Sequence, residues 1–351
     1  MKRSLALDVL RGIAVLMVLV YHNYLMHLDF TSSPPMLNFL ARGVDLFFVL
    51  SGFLISGLLF AEFKERGSIN CWRFWVRRGF KIYPAFYTLM GLGLLIILWQ
   101  HLSISLFWHE CLFIQNYRRR YWPHTWSLAV EEHFYFALPL LLLLLIKLLP
   151  RSRNPFRILP LISVVLSAVC FILRLKAFLR GGGVEEYVFP THLRIDALFA
   201  GVTLGYFYHF DKSFTEGNKW WMLTCGLLLC CACIPVPSFL QLAFSYPAFA
   251  MILVWSLNQP EACFRYLSPL AWIGRYSYSI YLWHVIVFVL MERYLPLSGW
   301  LVTYLVASIV LGVILAKVIE IPFLRLRDKL VLRMQWSVAC SEPVKGAYEP
   351  A

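Results

Sequence analysis

The chain has 351 residues, of which 60% are hydrophobic and 15% charged, with a mean hydropathy of +0.68 and a formal net charge of +13. A soluble domain of this length devotes about 25% of its residues to charge, so the balance excludes an ordinary water-folded domain. The basic excess sits in short connections between apolar runs and is not interleaved with polar and aromatic residues, which argues against a nucleic-acid partner.

A hydrocarbon core about 30 Å thick takes roughly 20 apolar residues per helix. Runs such as TLMGLGLLIILW, LLLLLIKLLP and LVTYLVASIVLGVILA supply that length. The predicted spans are 7–27, 37–60, 76–99, 126–147, 157–178, 190–209, 220–235, 239–257, 273–292 and 298–320. The fold class expected is therefore all-α, a polytopic transmembrane bundle of about ten helices. Met1-Lys2-Arg3 resembles the start of a signal peptide. The apolar stretch after it contains Asp8 and Arg11 and lacks a small-residue cleavage site, so it reads as a retained first helix.

Lys2, Arg3, the group Lys64 to Lys81, Lys147 to Arg157 and the residues from Lys317 onward put the positive side with the N-terminus. That bias predicts both termini in the cytoplasm of a multi-pass protein of the cytoplasmic (inner) membrane. Arg118-Arg119-Arg120 and Arg174 to Arg194 are exceptions that topology does not explain. One membrane domain, 1–325, is expected, followed by a short basic tail, 326–351, at the anionic inner leaflet. The cysteines are scattered and odd in number, and those at 225–233 lie in an apolar run where thiols behave as small hydrophobes. Neither a disulfide framework nor a metal site is expected.

An ionisable side chain in a lipid-embedded helix is costly and normally faces the bundle interior. Eleven helical steps return to within about 20° of the same direction, so Arg11 and His22 share a face of the first span, roughly 16 Å apart along the axis. Asp8, three residues before Arg11, can pair with its guanidinium. Taken alone, Arg11 also reads as a snorkelling cation and His22 as a hydrogen-bonded structural group.

The later spans tip that balance. In TWSLAVEEHFYFALP, Ser127, Glu131 and Tyr135 repeat at intervals of four and share a face, with Glu132 and His133 beside them. In GRYSYSIYLWH, Ser277, Tyr281 and His284 do the same at intervals of four and three. GVDLFFVLSGFLIS carries Asp45 and Ser51, and THLRIDALFAG carries Arg194 and Asp196. Such residues on five spans predict a shared polar cavity. WRFWVRRGFKIYP concentrates Arg73, Arg77, Arg78 and Lys81 among Trp72, Trp75 and Tyr83. That is a topology anchor whose cations and aromatic faces also suit a phosphorylated ligand with a stackable base.

The stretches LDVLRGIAVLMVLVYH, GVDLFFVLSGFLIS, RRGFKIYP, WSLAVEEHFYFALP, LRIDALFAG and GRYSYSIYLWH, in this order, resemble the acyltransferase 3 family of integral membrane O-acyltransferases. The resemblance implies a helical bundle that moves acyl groups, often acetyl, from acyl-CoA onto sugar hydroxyls. It places the family's arginine and histidine on Arg11 and His22, and its basic motif on Arg77, Arg78 and Lys81. Its glutamate falls on Glu131, and its later serine and tyrosine on Ser277 and Tyr281. Many relatives have arginine where Lys81 stands; lysine keeps the charge and loses the bidentate fork. Some relatives carry an extracytoplasmic hydrolase-like domain after the bundle, and none is expected in this sequence.

On this reading His22 is the general base or acyl relay, and Glu131 or Asp45 fixes its tautomer. Arg11, Arg77, Arg78 and Lys81 hold the donor, acyl-CoA with acetyl first, and no cofactor is bound permanently. The acceptor is a glycan or lipid-linked saccharide. Ser51, Ser127, Tyr135, Arg194, Asp196, Ser277, Tyr281 and His284 line or support the site. The competing reading is a secondary transporter or flippase for a lipid-linked sugar, which charged residues inside helices suit equally. It predicts matching halves with broken helices, and the sequence shows no such self-similarity.

Overall fold

A computed structural model describes residues 4–25, 35–118, 120–150, 154–217, 219–294 and 300–330. The described residues form helices and connections without strands. Ten helices carry the architecture: α1 (Leu5–Leu25), α2 (Gly43–Arg66), α3 (Cys71–Trp99), α4 (Trp126–Leu148), α5 (Leu159–Leu179), α6 (Ile195–Phe210), α7 (Trp220–Cys233), α8 (Ser238–Leu257), α9 (Ser277–Tyr294) and α10 (Trp300–Leu315). Each predicted span falls on one of them.

Not all ten are long enough to cross a bilayer. Among the described residues seven helices have the length and apolarity, and an eighth crossing is made if the bent pair Glu261–Arg275 and Ser277–Arg293 counts as one. With 16 and 14 residues, α6 and α7 fall short of the roughly 20 that a span takes. Hydropathy cannot separate the two cases, because an apolar run buried against other helices reads like one facing lipid. Much of α6 is buried in this way.

Two ends also differ from expectation. The third span begins at Cys71 rather than 76, because the Asn70 side chain caps it by accepting the Arg73 N–H at 2.9 Å. Arg73, expected before the span, therefore rides on the same helix as Arg77, Arg78 and Lys81. Beyond α10 the chain passes through a π-helical turn, Ala316–Glu320, and stays helical to Leu330, past the span end expected at 320. Most of the expected tail lies outside the described residues, as does Cys340. Cys230 and Cys233, spaced C-x-x-C on α7, are free thiols.

Helices pack closest where glycines meet. A Cβ at Gly52 would stand 1.9 Å from the Leu198 carbonyl oxygen, so α2 and α6 touch backbone to backbone. The same holds where α1 crosses the short helix Ser268–Arg275: a Cβ at Gly274 would stand 1.8 Å from the Asp8 oxygen. That short helix meets α9 at a bend of 64°.

Beside the α2–α6 contact lies a closed set of buried charges. Arg194 donates to Asp45, and Arg42 sits 3.6 Å from the other Asp45 oxygen. Arg174 donates to Asp196 at 2.7 Å and to the Leu193 carbonyl at 2.9 Å. All are buried, Arg174 and Asp196 completely. These pairs account for Arg174 and Arg194, which topology left unexplained.

Candidate active site

Two cavities meet at α3. The smaller, of 140 Å³, lies where α1, α2, α3, α4 and α9 converge, and the larger, of 450 Å³, lies at the end of α2 and the start of α3. Arg78 and Lys81 line both, so the two share a wall. Around the larger cavity Arg66, Arg73, Arg77 and Arg327 join them, against Glu62 and Glu65. The cationic excess gives it a positive potential of the kind that suits an anion.

The smaller cavity is polar through hydroxyls and carboxylates. Glu131 accepts from the Ser51 hydroxyl at 3.2 Å and, on its other oxygen, from the Tyr135 hydroxyl at 2.6 Å. The Arg78 guanidinium lies over the Tyr135 ring, 5.2 Å from its centre. Glu132 accepts from Tyr83 at 3.1 Å. Lys81 donates to Glu320, whose second oxygen accepts from Ser279 at 2.8 Å. Arg11 reaches the wall from α1, with Asp8 at 3.7 Å, and Arg275 approaches the other Asp8 oxygen at 3.8 Å.

On the α9 side the wall continues into a chain of rings. The Tyr281 hydroxyl donates to the His124 carbonyl at 2.7 Å, which leaves Ser127 to donate to Tyr281 across 2.6 Å. The Tyr281 ring is 5.7 Å from that of His284. His284 stands between His22, at 4.9 Å, and His124, at 5.0 Å between ring centres. His124 and His284 are buried, and His22 is half-buried.

His124 is delivered by a connection outside the spans. Glu110, buried on the short helix Ser105–Cys111, accepts on one oxygen from the backbone N–H of Trp122 at 2.7 Å and of Tyr121 at 3.1 Å, and from the Thr125 hydroxyl at 3.3 Å. Burial pushes the Glu110 carboxyl up to about 7, against the lowering effect of those donors and of Arg120. Its second oxygen is free to carry the proton while the first keeps all three bonds.

The structure thus brings together Arg11, Arg78, Lys81, Ser51, Ser127, Glu131, Tyr135, Ser277 and Tyr281 around one cavity, with Arg77 in the adjoining chamber and His22 and His284 behind Tyr281. Three expected residues lie elsewhere. Asp45, Arg194 and Asp196 belong to the closed charge set, where the arginines satisfy the carboxylates. Neither Asp45 nor Glu131 fixes the His22 tautomer; its Nδ1 is 3.0 Å from the Val18 carbonyl, which can only accept. Lys81 is not a free phosphate ligand, because Glu320 takes its ammonium.

Sequence reasoning missed His124, Glu320, Arg66 and Arg327. A signal existed for two of them: Glu320 is a carboxylate near the end of an apolar run, and His124 stands two residues before the W-S-L motif. Among the described residues no group of three His, Cys, Asp or Glu side chains is arranged to hold a metal ion.

A bundle of membrane-length helices around a polar cavity, with a cationic chamber at its side, defines an integral membrane protein with an interior site. The chain belongs to the acyltransferase 3 family, described as an acyltransferase domain, which matches residues 4–320. It is similar to the peptidoglycan O-acetyltransferase OatA of Listeria monocytogenes, 26% identical over 319 residues that make up 80% of this chain and 48% of that protein. It is also similar to the O-acetyltransferase OatA of Staphylococcus aureus strain NCTC 8325, 27% identical over 327 residues, 82% of this chain and 51% of the relative. The chain therefore spans about half the length of the curated relatives it matches. No solved structure matches it.

Proposed function

We propose that this protein is a membrane O-acyltransferase that moves an acyl group, acetyl first, from acyl-CoA to a hydroxyl of a surface or exported glycan. The observation that carries this reading is the common wall between the cationic chamber and the polar cavity. A CoA thioester is a polyanionic head on a long neutral arm, and its two ends need different surroundings. The 450 Å³ chamber falls within the roughly 300–1,000 Å³ of small-molecule sites and offers arginines to phosphates. The 140 Å³ cavity is too small for a nucleotide and suits the thioester end.

Membership in the acyltransferase 3 family supports acyl transfer, and the printed activity of the Listeria relative supports a glycan acceptor. The positive end of the bundle, with the cationic chamber, is assigned to the cytoplasm of the inner membrane, where acyl-CoA is found. His22 lies near the other end of α1, on the acceptor side.

In the reaction the acceptor hydroxyl loses its proton to His22, its oxygen bonds to the acyl carbon, the carbon–sulfur bond breaks, and the CoA sulfur takes up the proton. With Nδ1 donating to Val18, Nε2 of His22 is the basic nitrogen. Arg77 and Arg78 hold donor phosphates, and Arg11, at the other end of α1 from His22, lines the path of the donor arm. Glu131 pins the Ser51 and Tyr135 hydroxyls around it. The test is acetyl transfer from acetyl-CoA by His22→Ala, inserted and folded as the wild type is. Loss of transfer with retained acetyl-CoA binding is expected, and a normal rate would sink the assignment.

A further inference from the structure

The histidines behind Tyr281 share an arrangement that an isolated base does not need. Each ring gives one nitrogen to a backbone carbonyl: His22 Nδ1 to Val18 at 3.0 Å, His284 Nδ1 to Tyr281 at 2.6 Å, His124 Nε2 to Leu282 at 3.0 Å. A carbonyl only accepts, so each of these nitrogens carries the hydrogen. The opposite nitrogens, His284 Nε2 and His124 Nδ1, are buried without a hydrogen-bond partner. A second N–H there would be a buried donor with nothing to meet, so at rest these are bare lone pairs. The N–H groups go to carbonyls rather than carboxylates, so no fixed negative charge neutralises the group.

Two imidazoles joined through a single N–H···N bond have ring centres about 5 Å apart. The observed separations, 4.9 Å for His22–His284 and 5.0 Å for His284–His124, match that spacing. With one added proton, a single N–H···N bond can form between His284 and one neighbouring ring, and a modest ring rotation can pass it to the other. Resting on the reading of His22 as the base, we infer that His22, His284 and His124 act as one unit that holds a single proton during acyl transfer. His124 and His284 act through His22 and are positioning residues.

The proton balance is closed. The acceptor hydroxyl gives its proton to His22 Nε2 as the new carbon–oxygen bond forms and the carbon–sulfur bond breaks. The resulting positive charge is drawn into the cluster, where the bare nitrogen of His284 accepts the new N–H of His22, and a proton moved on to His284 is in turn accepted by His124. The proton then returns to the CoA thiolate, and the three rings are neutral again.

The inference is tested by substitutions that keep the carbonyl bond and remove the bare nitrogen. His124→Gln places an amide N–H where Nε2–H was, and His284→Asn does so for Nδ1–H. In the full-length protein in lipid nanodiscs, acetyl-CoA turnover is followed by thiol release with peptidoglycan disaccharide as acceptor, against the wild-type rate. Both variants are expected to lower kcat about 100-fold, the low end for acid–base groups, with KM for acetyl-CoA within about two-fold. Added imidazole should restore part of the rate to His124→Ala and His284→Ala.

Wild-type kcat in His124→Gln and His284→Asn would overturn the inference, since the carbonyl bonds alone would then suffice. If those two variants keep their rate while His22→Ala loses it, the base assignment stands and the shared proton does not. If His22→Ala itself keeps the wild-type rate, the base assignment falls and the shared proton with it.

Discussion

In the wall between α2, α5 and α6, Asp45, Arg42, Arg194, Arg174 and Asp196 close upon one another. Around α4 and α9, Glu131, Ser127 and Tyr281 close around a space, with three histidines behind Tyr281. Both sets are largely buried, both lie in helices or at their ends, and sequence patterning does not tell them apart. The difference is in what the polar atoms meet. In the first set each carboxylate meets an arginine, and what is left over is guanidinium nitrogen and one Asp45 oxygen that has Arg42 at 3.6 Å. In the second, cavity walls and bare imidazole nitrogens remain. A buried charge that has found its partner is scaffold, and one aimed at a space is available for chemistry.

Breaking the closed set should cost the most. Arg174→Met leaves Asp196 uncompensated in a buried site and should destabilise the fold by about 3–5 kcal/mol, read as thermal unfolding in detergent. The double variant Arg174→Met/Asp196→Leu should recover most of that loss, and failure to recover would mean that the pair does more than neutralise itself. Glu131→Gln tests the open set. It should lower acetyl transfer about 100-fold and leave the unfolding temperature within a few degrees, so a large stability loss would erase the contrast.

A third prediction concerns the connection that delivers His124. The folded Glu110 carboxyl binds its proton more tightly than the unfolded one, near 7 against an ordinary 4.5. The stability it contributes is thus complete below pH 4.5 and is lost as pH rises through 7, up to about 3 kcal/mol. Hydrogen exchange at the Tyr121 and Trp122 amides should quicken from pH 5 to pH 8 beyond the intrinsic rate. Glu110→Gln should remove that extra dependence. The smallest effect belongs to the cationic chamber, where Arg77→Gln or Arg78→Gln should raise KM for acetyl-CoA about tenfold, the loss of one charge-assisted hydrogen bond. Unchanged KM in both would remove the chamber from donor binding.

The helices were legible because a span announces itself by its apolar length, and all ten predicted spans fall on helices. The start of α3 was not, because the segment 71–75 with Arg73 reads as a connection until Asn70 is seen to cap the helix before it. Of the site, the periodicity of Ser127, Glu131 and Tyr135 placed them on one face, and the structure finds Glu131 and Tyr135 bonded. Periodicity names a face and not the neighbour that the face meets. Asp45 pairs with a residue 149 positions away, so nothing local separates it from Ser51, six residues on, which lines the cavity. His124 precedes its helix and has no period to be read.

The wall that Arg78 and Lys81 share also fixes traffic. If the donor enters through the cationic chamber and reacts in the smaller cavity, the spent thiol must back out through the doorway it came in by. Free CoA, with the same phosphates and arm, then occupies the enzyme in place of fresh acyl-CoA. Turnover would be throttled by the ratio of acylated to free CoA in the cell, and the modification of the surface would follow the metabolic state behind it.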